Sequence, residues 1–158
     1  MSGPDAYRPC VGVMLVNADG LVFVGKRIDN KDSGAWQMPQ GGIDAGEDLH
    51  EAAFRELHEE TGVTKNLVSI IGQTDKPVTY DLPPELIGKL WGGKYRGQIQ
   101  DWFLMRFLGQ DSDINLEAYQ PPEFCDWKWA EPALLPDMIV PFKKRVYRTI
   151  LDAFQDLI

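Results

Sequence analysis

The sequence predicts an α/β fold in which a mixed β-sheet has helices on both sides. Three observations lead there. Short stretches that are apolar or alternating recur along the chain at strand length. Two segments carry helical periodicity, one over 48–61 and one from Phe142 onward. The two kinds follow one another irregularly, which disfavours a doubly wound parallel sheet. At 158 residues the chain suits one domain spanning 1–158, large enough to bury a core.

Taken in order, Arg8-Pro9 marks an extended, irregular start over residues 1–8. Cys10 to Val16 is short and apolar throughout, a buried strand. Asn17 to Gly20 is a turn and Leu21 to Arg27 a second strand, so the pair reads as a hairpin. Gly20 to Lys26 imitates the first part of a phosphate-binding P-loop. That match is rejected, because Arg27 stands where Ser or Thr must hold Mg²⁺ and the intervening residues are strand formers. Ile28 to Ala35 is a polar loop, and Trp36 to Pro39 a short strand. Leu67 to Thr74 and Val78 to Leu82 are strands, the second stopped by Pro83-Pro84. The glycine-rich segment from Glu85 to Gly97 reads as a lid or a surface insertion. Gln98 to Leu108 is a long strand, and another runs from Glu123 to Trp129, with Trp127 and Trp129 as core rather than base-stacking platforms. In the last helix Val146, Ile150, Phe154 and Leu157 form an apolar stripe. Lys143, Lys144, Arg145 and Arg148 crowd its start, against the helix dipole. Either an external anion or plain solvation accounts for them.

The stretch from Gly41 to Val63 organises the rest. Gly41, Gly42 and Gly46 permit a tight loop with positive φ, acids suit the helix start, and Gly62 is a C-terminal stop; the helix is drawn from Asp48 to Thr61. Leu49, Ala53 and Leu57 share one arc and face inward. Glu56 and Glu60 lie at the edge of that arc, and Glu59 one turn from Glu56. Arg55 is the one formal positive charge of the segment. Like charges at this spacing repel, and a hard divalent cation, Mg²⁺ or Mn²⁺, compensates them while leaving room for a phosphate substrate. The implied chemistry is metal-assisted phosphoryl transfer to water.

Gly41, Glu47, Arg55, Glu56, Leu57, Glu59, Glu60, Gly62 and Val63 also fit, without a miss, the pattern G-x5-E-x7-R-E-U-x-E-E-x-G-U, with U aliphatic. In this the chain resembles the Nudix hydrolases. The resemblance implies an α/β/α sandwich and hydrolysis of a nucleoside diphosphate linked to another moiety. It also implies more than one divalent ion held by Glu56, Glu59 and Glu60, with Glu47 assisting, Gly41 part of the metal site and Arg55 orienting a carboxylate.

Pieces along nearly the whole chain, among them YRPCVGVML, AWQMPQGGID, YDLP, QDWFL, PEFCDWKW and FKKRVY, resemble the branch holding RNA pyrophosphohydrolases and asymmetric diadenosine tetraphosphate hydrolases. That resemblance implies Glu123 in the metal site or as base, with Glu59 the other candidate base. It implies phosphate contacts from Arg8, Arg27, Tyr80 and Lys143, and a nucleobase sandwiched by Phe142 and Arg27. The favoured activity is removal of pyrophosphate from 5′-triphosphorylated RNA; the alternative is cleavage of diadenosine tetraphosphate to ATP and AMP. A non-catalytic nucleotide sensor is expected to have lost a metal carboxylate, and none is lost here.

Composition narrows the partners. A formal net charge of −8 argues against broad binding of nucleic acid, DNA included, and favours a local basic site. No apolar run approaches membrane length and no targeting segment opens the chain, so a soluble cytoplasmic protein is expected. Cys10 and Cys125 each lie in a strand-like stretch and read as buried free thiols.

Overall fold

A computed structural model describes residues 6–29 and 34–158. Parts of the expected N-terminal segment, 1–5, and of the polar loop, 30–33, lie outside the described residues. Strands β1 (Tyr7–Val16), β2 (Val22–Arg27), β3 (Gln40–Gly42), β4 (Val68–Gln73), β5 (Val78–Asp81), β6 (Gly97–Phe107) and β7 (Phe124–Ala130) form one mixed sheet. Its path is β4-β6-β1-β2-β7, with β5 also on β6 and β3 also on β1. β1 and β6 run parallel from Tyr7↔Gly97 to Val16↔Arg106, and the other pairs are antiparallel.

Period-two alternation divides the core between two helices. Val11, Val13, Leu15 and Phe103 pack with Ala52, Ala53 and Leu57 of α1 (Leu49–Thr61). Met14, Val16, Trp102 and Leu104 pack on the other face with Val146, Ile150 and Phe154 of α3 (Lys144–Phe154). The short α2 (Leu135–Met138) leads into α3. The sheet thus lies between helices, as expected. Trp127 and Trp129 pack against the α1-side core. Among the described residues no helix is long and apolar enough to cross a membrane.

α1 forms where its signals place it. The Asp48 carboxylate accepts from the His50 and Glu51 N–H groups, and Gly62 closes the helix at φ 77°, its N–H bonded to the His58 carbonyl.

Four expectations are corrected. Tyr7 and Arg8 are not irregular; they belong to β1, because Gly97 and Gln98 offer a parallel edge. The β1–β2 hairpin pairs only at Val16↔Val22, next to its turn. Farther out the chain over 36–42 enters between the two strands, with Gln37 bridged to Gly25, the Pro39 carbonyl accepting from Val13 N–H at 2.9 Å, and β3 paired with Cys10 to Gly12. The short strand therefore lies over 40–42 rather than 36–39, since Pro39 has no N–H to continue a ladder. Finally, Cys10 is buried but Cys125 is exposed. Arg27 pairs with Phe124 and Lys26 with Asp126, so Cys125 is the unopposed residue of a β-bulge and leaves the alternation of its strand.

Candidate active site

The elements meet at a cleft of about 420 Å³. β1 supplies Arg8, the end of β2 Arg27, β3 Gly41 and Gly42, and α1 Glu56, Glu59 and Glu60. Tyr80 comes from β5, Gln98 from β6, Glu123 from just before β7, and Phe142 and Lys143 from the turn into α3. The structure thus brings Arg8, Arg27, Gly41, Glu56, Glu59, Glu60, Tyr80, Glu123, Phe142 and Lys143 to one cavity. Glu47 and Arg55 do not line it; they stand behind the acidic wall.

Arg55 organises that wall. Its Nε and Nη2 donate to Glu47 at 2.7 and 2.8 Å, Nη2 also to the Gly42 carbonyl at 2.8 Å, and Nη1 to Glu56 at 2.8 Å and Glu59 at 3.3 Å. The two-pronged contact holds the Glu47 carboxyl down at about 2. Gly41 and Gly42 are not the positive-φ turn residues expected; that conformation falls at Gly46, φ 75°, and β3 is extended. They are glycine for space: a Cβ on Gly41 would overlap the Glu56 carboxylate, and one on Gly42 the Arg8 guanidinium.

Glu60 is more enclosed than the edge of the helix arc suggested, at 4% exposed. Its Oε2 accepts from the Gln40 N–H at 3.0 Å, and burial, reinforced by the charges of Glu56 and Glu123, pushes its carboxyl well above the usual range. Burial also raises Glu56, against the pull of Arg55.

The same cleft holds three basic side chains, Arg8, Arg27 and Lys143. Arg27 grips Asp29 at 2.9 and 2.7 Å and reaches Glu123 at 3.5 Å. Among the described residues the ion pairs of the cleft engage Arg27 and Arg55 but neither Arg8 nor Lys143. Lys143 lies over the rings of Tyr80 and Phe142, at 5.3 and 5.8 Å, and burial, with Arg27 next, lowers its ammonium to about 8. Two other cations of the same cluster are used elsewhere: Lys144 pairs with Asp137 at 2.8 Å and Arg145 donates to the Thr79 carbonyl at 3.0 Å. The cluster therefore splits, with Lys143 alone lining the cleft.

Sequence reasoning passed over Gln40, Gln98 and Trp91 as lining residues. Gln98 and Gln100 are buried, and Gln100 Nε2 donates to Gln98 at 2.7 Å while its Oε1 accepts from the Trp102 indole at 2.8 Å. Two glutamines at alternate positions with Trp102 and Leu104 along β6 were the available signal. Trp91 was visible only as one residue of a glycine-rich loop.

The sequence profile described as "NUDIX domain" matches residues 6–150. The chain belongs to the Nudix family. This Nudix chain is 66% identical over 152 residues to a protein of Novosphingobium aromaticivorans named RNA pyrophosphohydrolase, covering 96% of this chain and 94% of that one. It is 61% identical to a protein of the same name from Erythrobacter litoralis, covering 96% and 93%. Among solved structures, the fold matches a Caenorhabditis elegans Ap4A hydrolase binary complex with a TM-score of 0.66 at 21% identity, covering 94% of this chain and 98% of that one. It also matches the Escherichia coli dihydroneopterin triphosphate pyrophosphohydrolase with a TM-score of 0.69 at 18% identity, covering 94% and 100%. Nudix proteins are generally metal-dependent. Among the described residues no three acidic, His or Cys side chains form a ready metal cage, and two of the three helix glutamates that line the cleft are held by Arg55.

Proposed function

We propose that this Nudix protein removes pyrophosphate from 5′-triphosphorylated RNA, adding water across a phosphoanhydride bond and leaving a 5′-monophosphate. The observation that carries the reading is the lining of the cleft, where Glu56, Glu59, Glu60 and Glu123 share one cavity with Arg8, Arg27 and Lys143. Such a layout suits a polyphosphate accompanied by divalent metal. Identity of 66% and 61% to proteins named RNA pyrophosphohydrolase, over nearly full length, supports the RNA end as substrate.

The residues fit a hard cation. Glu60 is a buried carboxylate beside Glu56, and all candidate donors are oxygens. Glu56, Glu59 and Glu60 would hold Mg²⁺ or Mn²⁺, more than one ion, with Glu123 and Gly41 alongside. Bound there, the metal supplies positive charge for the phosphates and acidifies water. Glu59 and Glu123 are the more open carboxylates, their side chains 24% and 39% exposed against 12% for Glu56, and one of them accepts the proton of the attacking water. Arg8, Arg27 and Lys143 hold the phosphate chain in line. Arg55 positions Glu56 and Glu59 without touching substrate.

A second reading, asymmetric cleavage of diadenosine tetraphosphate, is favoured by aromatic rings at two places in the cleft, Tyr80 with Phe142 and Trp91. The test of the metal-hydrolase reading is Mg²⁺-dependent pyrophosphate release from triphosphorylated RNA by wild type and Glu59→Gln. Wild type releases it and the variant, with unchanged circular dichroism, does not; equal rates would sink the mechanism.

A further inference from the structure

Trp91 is the one non-glycine residue with positive φ among the described residues, at 54°. A bulky side chain is rarely found in that conformation, which costs energy and persists only where the surroundings hold it. The surroundings here do so from both ends of the loop over 82–96. Leu82 N–H bonds the Arg96 carbonyl at 2.7 Å and Arg96 N–H the Ala6 carbonyl at 2.8 Å. Asp81 accepts from Tyr7 at 2.6 Å and from Arg96 at 2.5 Å. Inside the loop Gly88, Gly92 and Gly93 take positive φ, and Gly93 N–H bonds the Leu90 carbonyl at 2.9 Å. The result is an indole that lines the cleft, set edge-on to Tyr95 at 6.4 Å, with the Arg8 guanidinium 5.5 Å from its centroid.

An aromatic ring held in a strained backbone against a polyphosphate cleft has little to contribute to phosphate chemistry. It does offer a flat surface for a nucleobase. The Arg8 guanidinium lies over the same ring and is without an ion pair among the described residues, so a base stacked on the indole would set its phosphate within reach of that guanidinium. Phe142 lies elsewhere in the cleft, packed at 5.8 Å against Tyr80. We infer that Trp91 is a nucleobase-stacking residue that, with Arg8, forms a nucleotide subsite distinct from the Tyr80–Phe142 rings. The inference rests on the nucleotide-hydrolase reading above and deepens it.

The test compares wild type, Trp91→Phe and Trp91→Leu on triphosphorylated RNA, with inorganic tripolyphosphate as a competing, base-free ligand. Leucine should raise KM about tenfold, the worth of one base stack, leave kcat in place, and leave inhibition by tripolyphosphate unchanged. Phenylalanine should restore KM. An unchanged KM for leucine would overturn the inference, and so would an equal loss of tripolyphosphate inhibition, which would mark Trp91 as a support for Arg8 alone. Equilibrium dialysis with a non-hydrolysable ATP analogue and with tripolyphosphate reads the same contrast without turnover. A wild type inert toward RNA would therefore defeat the substrate reading while this one is still decided.

Discussion

Arg55 meets Glu47 through two parallel hydrogen bonds of 2.7 and 2.8 Å, and the same guanidinium extends to Glu56 and Glu59. One residue behind the cleft thereby sets the spacing of two carboxylates inside it. The family resemblance assigns Arg55 a single carboxylate; its planar fork donates to three and to the Gly42 carbonyl, and lies 3.5 Å from a fourth carboxylate, Asp44. A lone guanidinium cannot neutralise three carboxylates, so the wall remains negative toward the cleft.

Replacing Arg55 by Lys keeps the charge and loses the fork. Glu56 and Glu59 are then free to separate, and kcat for pyrophosphate release should fall about 10²-fold with the far-ultraviolet circular dichroism unchanged. Steady-state kinetics on the purified variant checks this; a fall of less than twofold would show that charge alone suffices.

Gly41→Ala places a methyl group on the Glu56 carboxylate. The backbone there is extended, so alanine is not strained by its dihedral angles, and the effect should fall on chemistry before stability. Activity is expected to drop on the order of 10²-fold, with a thermal midpoint close to wild type. A large fall in midpoint with activity retained per folded molecule would contradict the close-packing account.

Much of this fold was legible because its signals are local. Strand-length apolar stretches marked β1 and β6, and Asp48 and Gly62 bounded α1. The central carboxylates were legible for the same reason, since helical spacing alone gathers Glu56, Glu59 and Glu60. What was not legible depends on distant partners. The wedge of residues 36–42 between β1 and β2 needs tertiary pairing that no local pattern encodes. Gly41 looked like a turn glycine because a clash with Glu56, fifteen positions away in the chain numbering, leaves no mark in sequence. The bulge that exposes Cys125 is a property of the β2–β7 register, and Trp91 lines the cleft from a loop whose ends are fastened to residues distant in sequence.

Burial pushes the Glu60 carboxyl well above the usual range, so holding it ionised costs the metal-free protein stability. Glu60→Gln keeps the shape and removes the charge. In EDTA its thermal midpoint should lie about 2–4 °C above wild type, and Mg²⁺ should raise the wild-type midpoint while leaving that of the variant in place. Calorimetry in EDTA and in Mg²⁺ decides; equal Mg²⁺ shifts in both proteins would place the metal elsewhere.

Burial, then Arg27, lowers the Lys143 ammonium from 10.5 to about 8. The charged form is lost as pH rises through that value, so KM for the triphosphate should climb above pH 8 while kcat responds less. Lys143→Arg stays charged and should keep KM level to about pH 9. The sign for folding is the reverse: folding favours the neutral amine, so this group's contribution to stability increases as pH rises from 8 toward 10.5 and is lost as pH falls through 8. Parallel KM profiles for the two proteins would remove Lys143 from phosphate binding.

The central claim is the choice of the RNA end as substrate, and one comparison tests it most directly. Equal concentrations of 5′-triphosphorylated RNA and diadenosine tetraphosphate are offered to the protein in Mg²⁺, and the products are resolved. The account predicts faster release of pyrophosphate, with 5′-monophosphorylated RNA as co-product. Faster formation of ATP and AMP would contradict it and make the two aromatic stations of the cleft a dinucleotide site.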